Sequence, residues 1–125
     1  VAVQAGTAFL RSSSAGSSAT HRAALASDDF TDTGLTRAFS GRFARGLVNE
    51  FMSMFDGVEN VAPSAYPEVN RMLAPLRRAA AEAGDPQWTH LWAGAGWRRT
   101  ASAMPGRMID GDAGRITRWL AGREG

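Results

Sequence analysis

The stretch VAVQAGTAFL, residues 1–10, decides how the rest of the chain is interpreted. It is apolar almost throughout, and Gln4 and Thr7 carry its only polar side chains. A run of this kind is typical of a strand that is covered on both faces, as in a parallel sheet. We therefore predict a buried strand over residues 1–10, with Gly6 and Thr7 towards its carboxyl end.

The Gly6-Thr7 dipeptide indicates a ligand at that end of the strand. In parallel α/β folds ligands bind beyond the carboxyl ends of the strands, and barrel phosphate sites follow the last two strands. Glycine lets backbone amides approach a phosphate, and a threonine hydroxyl adds a donor. By itself the dipeptide is a weak signal, because most Gly-Thr pairs of this kind are explained by a glycine that lets a helix pack closely.

The composition excludes several classes of protein and site. The chain has 125 residues, 44% of them hydrophobic, which suits one domain with a core. Cysteine is absent, which excludes disulfides, cysteine-ligated metals and a thiol nucleophile. No segment approaches the roughly 20 apolar residues of a membrane span, so a soluble, cytoplasmic protein is expected. Arginine and acidic residues are interspersed and the net charge is only +2, which favours a mixed-charge surface over nucleic-acid binding.

Turn residues and apolar periodicity divide the first half of the chain. The segment RSSSAGSS, residues 11–18, reads as a loop, with Ser17 or Ser18 capping a short helix at about 19–26. Residues 30–39 are rich in threonine and aromatic side chains and are expected to be extended.

Helical patterns dominate the second half. Apolar residues from Leu47 onwards fall on one face of a helix that stops at Gly57. A second helix is predicted to start with Pro67 at its first position and to stop at Gly84. Pro75 lies inside it and should kink or split it.

Four segments taken together resemble the C-terminal portion of the nitronate monooxygenase family, once called 2-nitropropane dioxygenases. In chain order over roughly residues 1–105 they are VAVQAGTAFL, AGSSATHRAAL, LTRAFSGRFARGLVNEFM and APSAYPEVNRMLAPLRRAAAEAGDPQWTHLWAGAGW. The resemblance implies an α/β fold, the C-terminal fragment of an FMN-binding TIM (β/α)8 barrel with a mostly helical inserted domain. It implies a late barrel strand and phosphate-side loop at 1–18, the inserted part at 19–83, and a flavin-side turn with a closing barrel helix at 84–125.

The resemblance also implies an activity, the oxidation of alkyl nitronates by O2 with non-covalently bound FMN. Some relatives are instead NAD(P)H-dependent quinone or enoyl reductases, which is the alternative within the same barrel family. An alternative of another class is a small helical interaction module without a cofactor. Neither nucleic acid nor membrane is expected as a partner.

Cofactor-binding residues follow from the matching motifs. The family's Gln-x-Gly-Thr segment matches Gln4, Ala5, Gly6 and Thr7, and the resemblance assigns the backbone of the Gly-Thr pair to the FMN phosphate. The family's aromatic-Ala-Gly-Gln segment near the flavin matches Trp92, Ala93 and Gly94, with Ala95 where glutamine is usual. We therefore expect Trp92 and Gly94 beside the flavin, although Trp92 would equally suit a core position.

No catalytic residue and no metal site are assigned within the chain. The family's catalytic histidine lies upstream of the matching stretch, so His21 and His90 are expected at the surface or in supporting positions. Arg37, Arg42 and Arg45 are predicted to hold the inserted domain through acidic side chains, or alternatively to reach an anionic ligand. Because the other barrel strands also lie upstream, we expect this polypeptide alone neither to bind FMN tightly nor to turn over.

Overall fold

The computed structural model describes residues 6–11, 15–61 and 65–99. The α-helices and strands of this part are α1 (Gly6–Leu10), α2 (Ala19–Ala26), β1 (Thr33–Thr36), β2 (Ala44–Leu47), α3 (Glu50–Phe55), α4 (Glu68–Met72) and α5 (Ala74–Glu82). A 3₁₀ helix, Val58–Asn60, follows α3. None of the helices within these ranges is long and apolar enough to cross a membrane. The final helix predicted in the tail lies outside the described residues.

The predicted strand over residues 1–10 is wrong in its second half. Gly6–Leu10 is helical and buries only Ala8, while residues 1–5 lie outside the described part of the chain. A short apolar run does not by itself distinguish a buried strand from a buried helix. Within residues 6–10 alanine and leucine favour a helix, whereas the β-branched Val1 and Val3 lie before Gly6. Gly6 and Thr7 therefore begin a helix instead of ending a strand.

Helix α2 confirms the prediction for residues 19–26, including its cap. The Ser18 side chain accepts a hydrogen bond from the backbone N–H of His21 at 3.1 Å, so it satisfies one of the amides that a helix start leaves open. Ala24 and Leu25 are buried on the inner face of the helix.

An antiparallel hairpin follows, of which the sequence predicted only the first strand. Strand β1 lies within the expected extended segment, and its Gly34 pairs with Gly46 of β2. Strand β2 was missed because ARGL carries little strand propensity of its own. It also takes the first residue of the predicted helix, since Leu47 ends the strand and α3 starts only at Glu50.

Pro75 splits the second predicted helix, as expected. Helix α4 ends at Met72, and α5 starts at Ala74 with the proline in its first turn, where a missing N–H costs nothing. Pro67 precedes α4 by one residue instead of occupying its first position. Gly84 adopts φ +72° after α5, a conformation that glycine reaches without strain and that ends the helix.

Two apolar clusters form the core. The first joins α2 to β2 and to residues 91–97, and its members are Ala24, Leu25, Phe30, Leu47, Leu91, Ala93 and Trp97. The second centres on Phe39 and Phe51, whose rings stack with centroids 4.3 Å apart. Asn49 links α3 to the segment before residue 91, because its side-chain amide donates to the carbonyls of Pro86 at 2.9 Å and Thr89 at 2.8 Å.

Residues 91–93 run beside β2 and extend the hairpin. The Leu47 N–H donates to the Leu91 carbonyl at 2.9 Å, and the Ala93 N–H donates to the Arg45 carbonyl at 3.0 Å. Gly46 lies between these two bonds, opposite Trp92. A Cβ on Gly46 would lie 2.9 Å from the Leu91 carbonyl oxygen, so the close approach of the two backbones requires glycine there.

The contrast between Gly46 and its cross-strand partner Gly34 gives a stability prediction. In Gly46→Ala the new methyl group meets backbone, so we expect the free energy of unfolding to fall by about 1–3 kcal/mol. In Gly34→Ala it meets only side-chain atoms of Val48 and Met52, at 3.1 and 3.2 Å, which can shift. Urea denaturation of both variants measures the two losses in the free energy of unfolding. If the losses were equal, contact of the new methyl group with the Leu91 backbone would not explain the effect of Gly46→Ala.

Candidate functional site

Thr7 and Gly94, two residues that the sequence places near a cofactor, are in direct contact. The backbone N–H of Gly94 donates to the Thr7 side-chain oxygen at 2.8 Å. Helix α1 thus starts against the turn that follows residues 91–93, although the two segments lie near opposite ends of the described chain. The structure brings Gly6, Thr7, Trp92 and Gly94 into one region, while Gln4 and Ala5 lie outside the described residues.

The surface at this contact is open to a ligand. Gly6 and Gly94 are both exposed, and a Cβ built on Gly6 would meet nothing within 4 Å. Thr7 is half-buried and contacts the turn through its hydrogen bond with Gly94. Among the described residues, this surface therefore leaves room for a ligand.

Trp92 packs into the second core cluster. Its ring is half-buried and meets Phe39 edge to face, with centroids 5.8 Å apart. The His90 ring lies 5.2 Å from it. Trp92 thus packs against the core on one side, and because its ring is only half-buried, part of it stays exposed among the described residues.

The side chain of His21 contacts the backbone of the same turn. The side chain is buried, and its Nε2 lies 3.0 Å from the Trp92 carbonyl oxygen. A carbonyl only accepts, so this contact selects the tautomer that carries hydrogen on Nε2. Burial lowers the pKa of His21, and the hydrogen bond to Trp92 opposes that shift only in part. His21 therefore occupies a supporting position, one of the two expected for it, and is neutral at neutral pH.

His90 is the more perturbed of the two histidines. Desolvation by burial, followed by the charges of Arg77 and His21, lowers its pKa to about 4. Its Nδ1 atom is buried and has no hydrogen-bond partner among the described residues. Nothing in the sequence around His90 predicts this environment.

A cavity of about 470 Å³ that is open to solvent lies between α2 and α5, with Thr89, His90 and Trp92 on its wall. The polar and aromatic side chains on its wall include Ser17, His21, Arg77, Arg78, His90 and Trp92. No motif in the sequence predicts this cavity. Its one visible signal is the Arg77-Arg78 pair within a helix that is otherwise rich in alanine, and this signal does not reveal what the arginines face.

Within residues 15–61 and 65–99, the three arginines of the hairpin region contact backbone oxygens and aromatic rings, and none pairs with an acidic side chain there. Arg37 donates through Nε to the Glu59 carbonyl at 2.6 Å, and Arg45 donates to the Thr33 carbonyl at 3.1 Å. The Arg42 guanidinium lies 5.2 Å from the centre of the Tyr66 ring. These contacts tie the arginines to their own region, and the predicted role in holding an inserted domain stays a prediction.

The depressed pKa of His90 predicts a pH dependence of stability. Because the folded-state pKa is about 4 and the ordinary value is 6.5, the stability associated with neutral His90 is complete above pH 6.5. Below that the unfolded state takes up a proton that the folded state resists, so the free energy of unfolding falls as the pH approaches 4. His90→Gln should show a shallower decline than the wild type in denaturation curves over this range. Parallel declines would mean that His90 is not held neutral.

Comparison with known proteins places these features in a family. A model of the nitronate monooxygenase family matches residues 1–109. A Staphylococcus saprophyticus protein named "Probable nitronate monooxygenase" is 41% identical over 92 residues, which are 74% of this chain and 26% of the relative. A protein of the same name from Staphylococcus aureus strain JH9 is 40% identical over 107 residues, which are 86% of this chain and 30% of the relative.

A solved structure of nitroalkane oxidase from Streptomyces ansochromogenes matches with a TM-score of 0.76 and 45% identity. The match covers 97% of this chain and 32% of the other, so the chain spans about a third of the length of that relative. Because the family model covers most of the sequence and the solved relative matches nearly all of its structure, the chain belongs to the nitronate monooxygenase family.

Proposed function

We propose that the protein that contains this chain oxidises alkyl nitronates with FMN and O2. The observation that carries the proposal is the hydrogen bond from Gly94 to Thr7, which joins the two motifs that resemble the family's flavin segments. Family membership and the nitroalkane oxidase structure support it from outside the chain. In this proposal the chain is the C-terminal part of a TIM (β/α)8 barrel that carries a mostly helical inserted domain over residues 19–83.

FMN is the cofactor of the proposed reaction, and the residues present fit it. Open space around Gly6 leaves room for a phosphate at the amides of Gly6 and Thr7, and Gln4 and Ala5 precede them in the matching motif. Bound FMN would carry electrons from the nitronate to O2, while the protein orients both. Trp92 and Gly94 belong to the flavin side of this site.

The residues of this chain have positioning roles in the proposal. Thr7 and Gly94 hold the start of α1 against the turn, and His21 fixes the carbonyl of Trp92 within it. Ala95 is exposed and carries no hydrogen-bonding side chain where the family usually has glutamine, so this turn offers the substrate backbone groups only. The same proposal includes the domain boundaries at residues 18 and 83. It also includes a cytoplasmic location, with the nitronate and O2 as the reacting partners.

Turnover by the full-length gene product tests the activity. We expect O2 consumption with ethyl nitronate or propionate 3-nitronate, and no comparable reduction of the bound flavin by NADH or NADPH. An oxygen electrode measures the first, and anaerobic absorbance of the flavin measures the second. Rapid flavin reduction by a nicotinamide, together with slow O2 consumption on nitronates, would assign the protein to the reductases instead.

Thr7 variants test the phosphate site separately from turnover. Thr7→Val keeps the shape of the side chain and removes the acceptor for the Gly94 N–H, so we expect FMN to bind roughly tenfold more weakly or worse. Thr7→Ser keeps the hydroxyl and should remain close to the wild type. Equilibrium titration of the apoprotein with FMN, followed by flavin fluorescence, gives both affinities. Unchanged FMN affinity in Thr7→Val would exclude this role.

A further inference from the structure

Asn49 lies between the end of strand β2 and the start of helix α3, in line with the pairing of residues 91–93 with β2. This pairing is antiparallel, and in it the Leu47 N–H donates to the Leu91 carbonyl at 2.9 Å. Hydrogen-bonded positions alternate along antiparallel strands, so the next one falls two residues further on, at Asn49 and Thr89. A continued ladder would place the backbone N–H of Asn49 on the Thr89 carbonyl.

The side chain of Asn49 supplies the donor at this position in place of the backbone. Its Nδ2 donates to the Thr89 carbonyl at 2.8 Å and also to the Pro86 carbonyl at 2.9 Å. The backbone carbonyl of Asn49 meanwhile accepts from the Ser53 N–H at 3.0 Å, within the first turn of α3. Because the side chain replaces the backbone donor, the same residue ends the ladder and starts the helix.

The orientation of the Asn49 amide is fixed by its partners. Its Oδ1 accepts from the Met52 N–H at 3.1 Å, and the two carbonyls at its other end only accept, so Nδ2 must face them. The residue is 3% exposed, which keeps water from competing for these bonds. Gln87 completes the junction, because its side-chain oxygen accepts from the Glu50 N–H at 3.0 Å and its carbonyl from the Phe51 N–H at 3.2 Å.

This junction fixes the register of the residues that lead into the turn at Gly94. Leu91 and Ala93 belong to the first core cluster, whereas Trp92 between them packs against the second. A slip of one residue would exchange these two faces of the segment. A slip of two residues would carry Gly94 about 7 Å along the strand direction and away from the Thr7 hydroxyl that its N–H now contacts.

We propose that Asn49 is a positioning residue of the flavin site, whose side-chain amide sets the register of residues 91–93 and so places the Gly94 N–H on Thr7. The role of the turn at the flavin rests on the proposed function, whereas the register rests on the hydrogen bonds alone. Oδ1 of Asn49 caps α3 and Nδ2 sets the register, so substitution can separate the two tasks.

Two variants of Asn49 keep the cap and remove the donor. Asn49→Ser leaves a hydroxyl for the Met52 N–H, while Asn49→Asp also sets a second acceptor oxygen against the two carbonyls. In the full-length apoprotein we expect amide hydrogen exchange of residues 93 and 94, followed by mass spectrometry, to accelerate roughly tenfold in Asn49→Ser and more in Asn49→Asp. Exchange within α3 should stay unchanged. FMN affinity, from titration followed by flavin fluorescence, should fall in the same order.

Met52→Ala is the matched control. It removes a buried side chain from the same helix and lowers global stability, but Met52 contributes only its backbone N–H to the junction. It should therefore neither selectively accelerate exchange at residues 93 and 94 nor weaken FMN binding.

Unchanged exchange at residues 93 and 94 in Asn49→Ser, or equal acceleration in Met52→Ala, would overturn the register role. Faster exchange with unchanged FMN affinity would overturn the link from Asn49 to the flavin. A full-length wild-type protein that binds no FMN would contradict the proposed function instead, and the exchange measurement would still decide whether Asn49 sets the register.

Discussion

The pairing of residues 91–93 with β2 is the interaction on which the rest of the described structure depends. Two backbone hydrogen bonds, Leu47 to Leu91 and Ala93 to Arg45, bring the segment against the hairpin, and Gly46 leaves the space for it. Leu47 and Leu91 are among the most deeply buried side chains, so the same pairing also assembles the first core cluster. It sets the direction in which the chain leaves the core towards Gly94 and hence towards Thr7.

Local signals in the sequence were sufficient where a single residue decides the structure. Ser18 caps α2 through its own side chain, and Pro75 divides α4 from α5 by its ring geometry, so both were predictable. Strand β2 was not, because its extended form depends on partners before and after it in the chain. The helical form of GTAFL was missed because composition alone does not separate a short buried strand from a short helix.

The same distinction between local signals and distant partners applies to the candidate site. Motif resemblance selected Gly6, Thr7, Trp92 and Gly94 individually, and the fold brings them together over 87 positions of sequence. The cavity was beyond sequence reasoning because each of its polar residues is ordinary in its own segment. Ser17 looks like a cap, Arg77 like an exposed helix position, and His90 like a surface histidine. The packing of α2 against α5 brings these residues to the wall of one cavity.

The hydroxyl of Thr7 has a consequence that extends beyond its own contact. It accepts from Gly94 through a lone pair and still has its own hydrogen to give. If Thr7 donates that hydrogen to an anionic oxygen, its own oxygen becomes a better acceptor for the Gly94 N–H, because hydrogen bonds in a chain polarise one another. A donor bond from Thr7 to an anionic oxygen would therefore strengthen the contact between α1 and the turn that contains Gly94. By thermodynamic linkage, an interaction that stabilises the turn at Gly94 would raise the affinity of Thr7 for such an anion by the same factor.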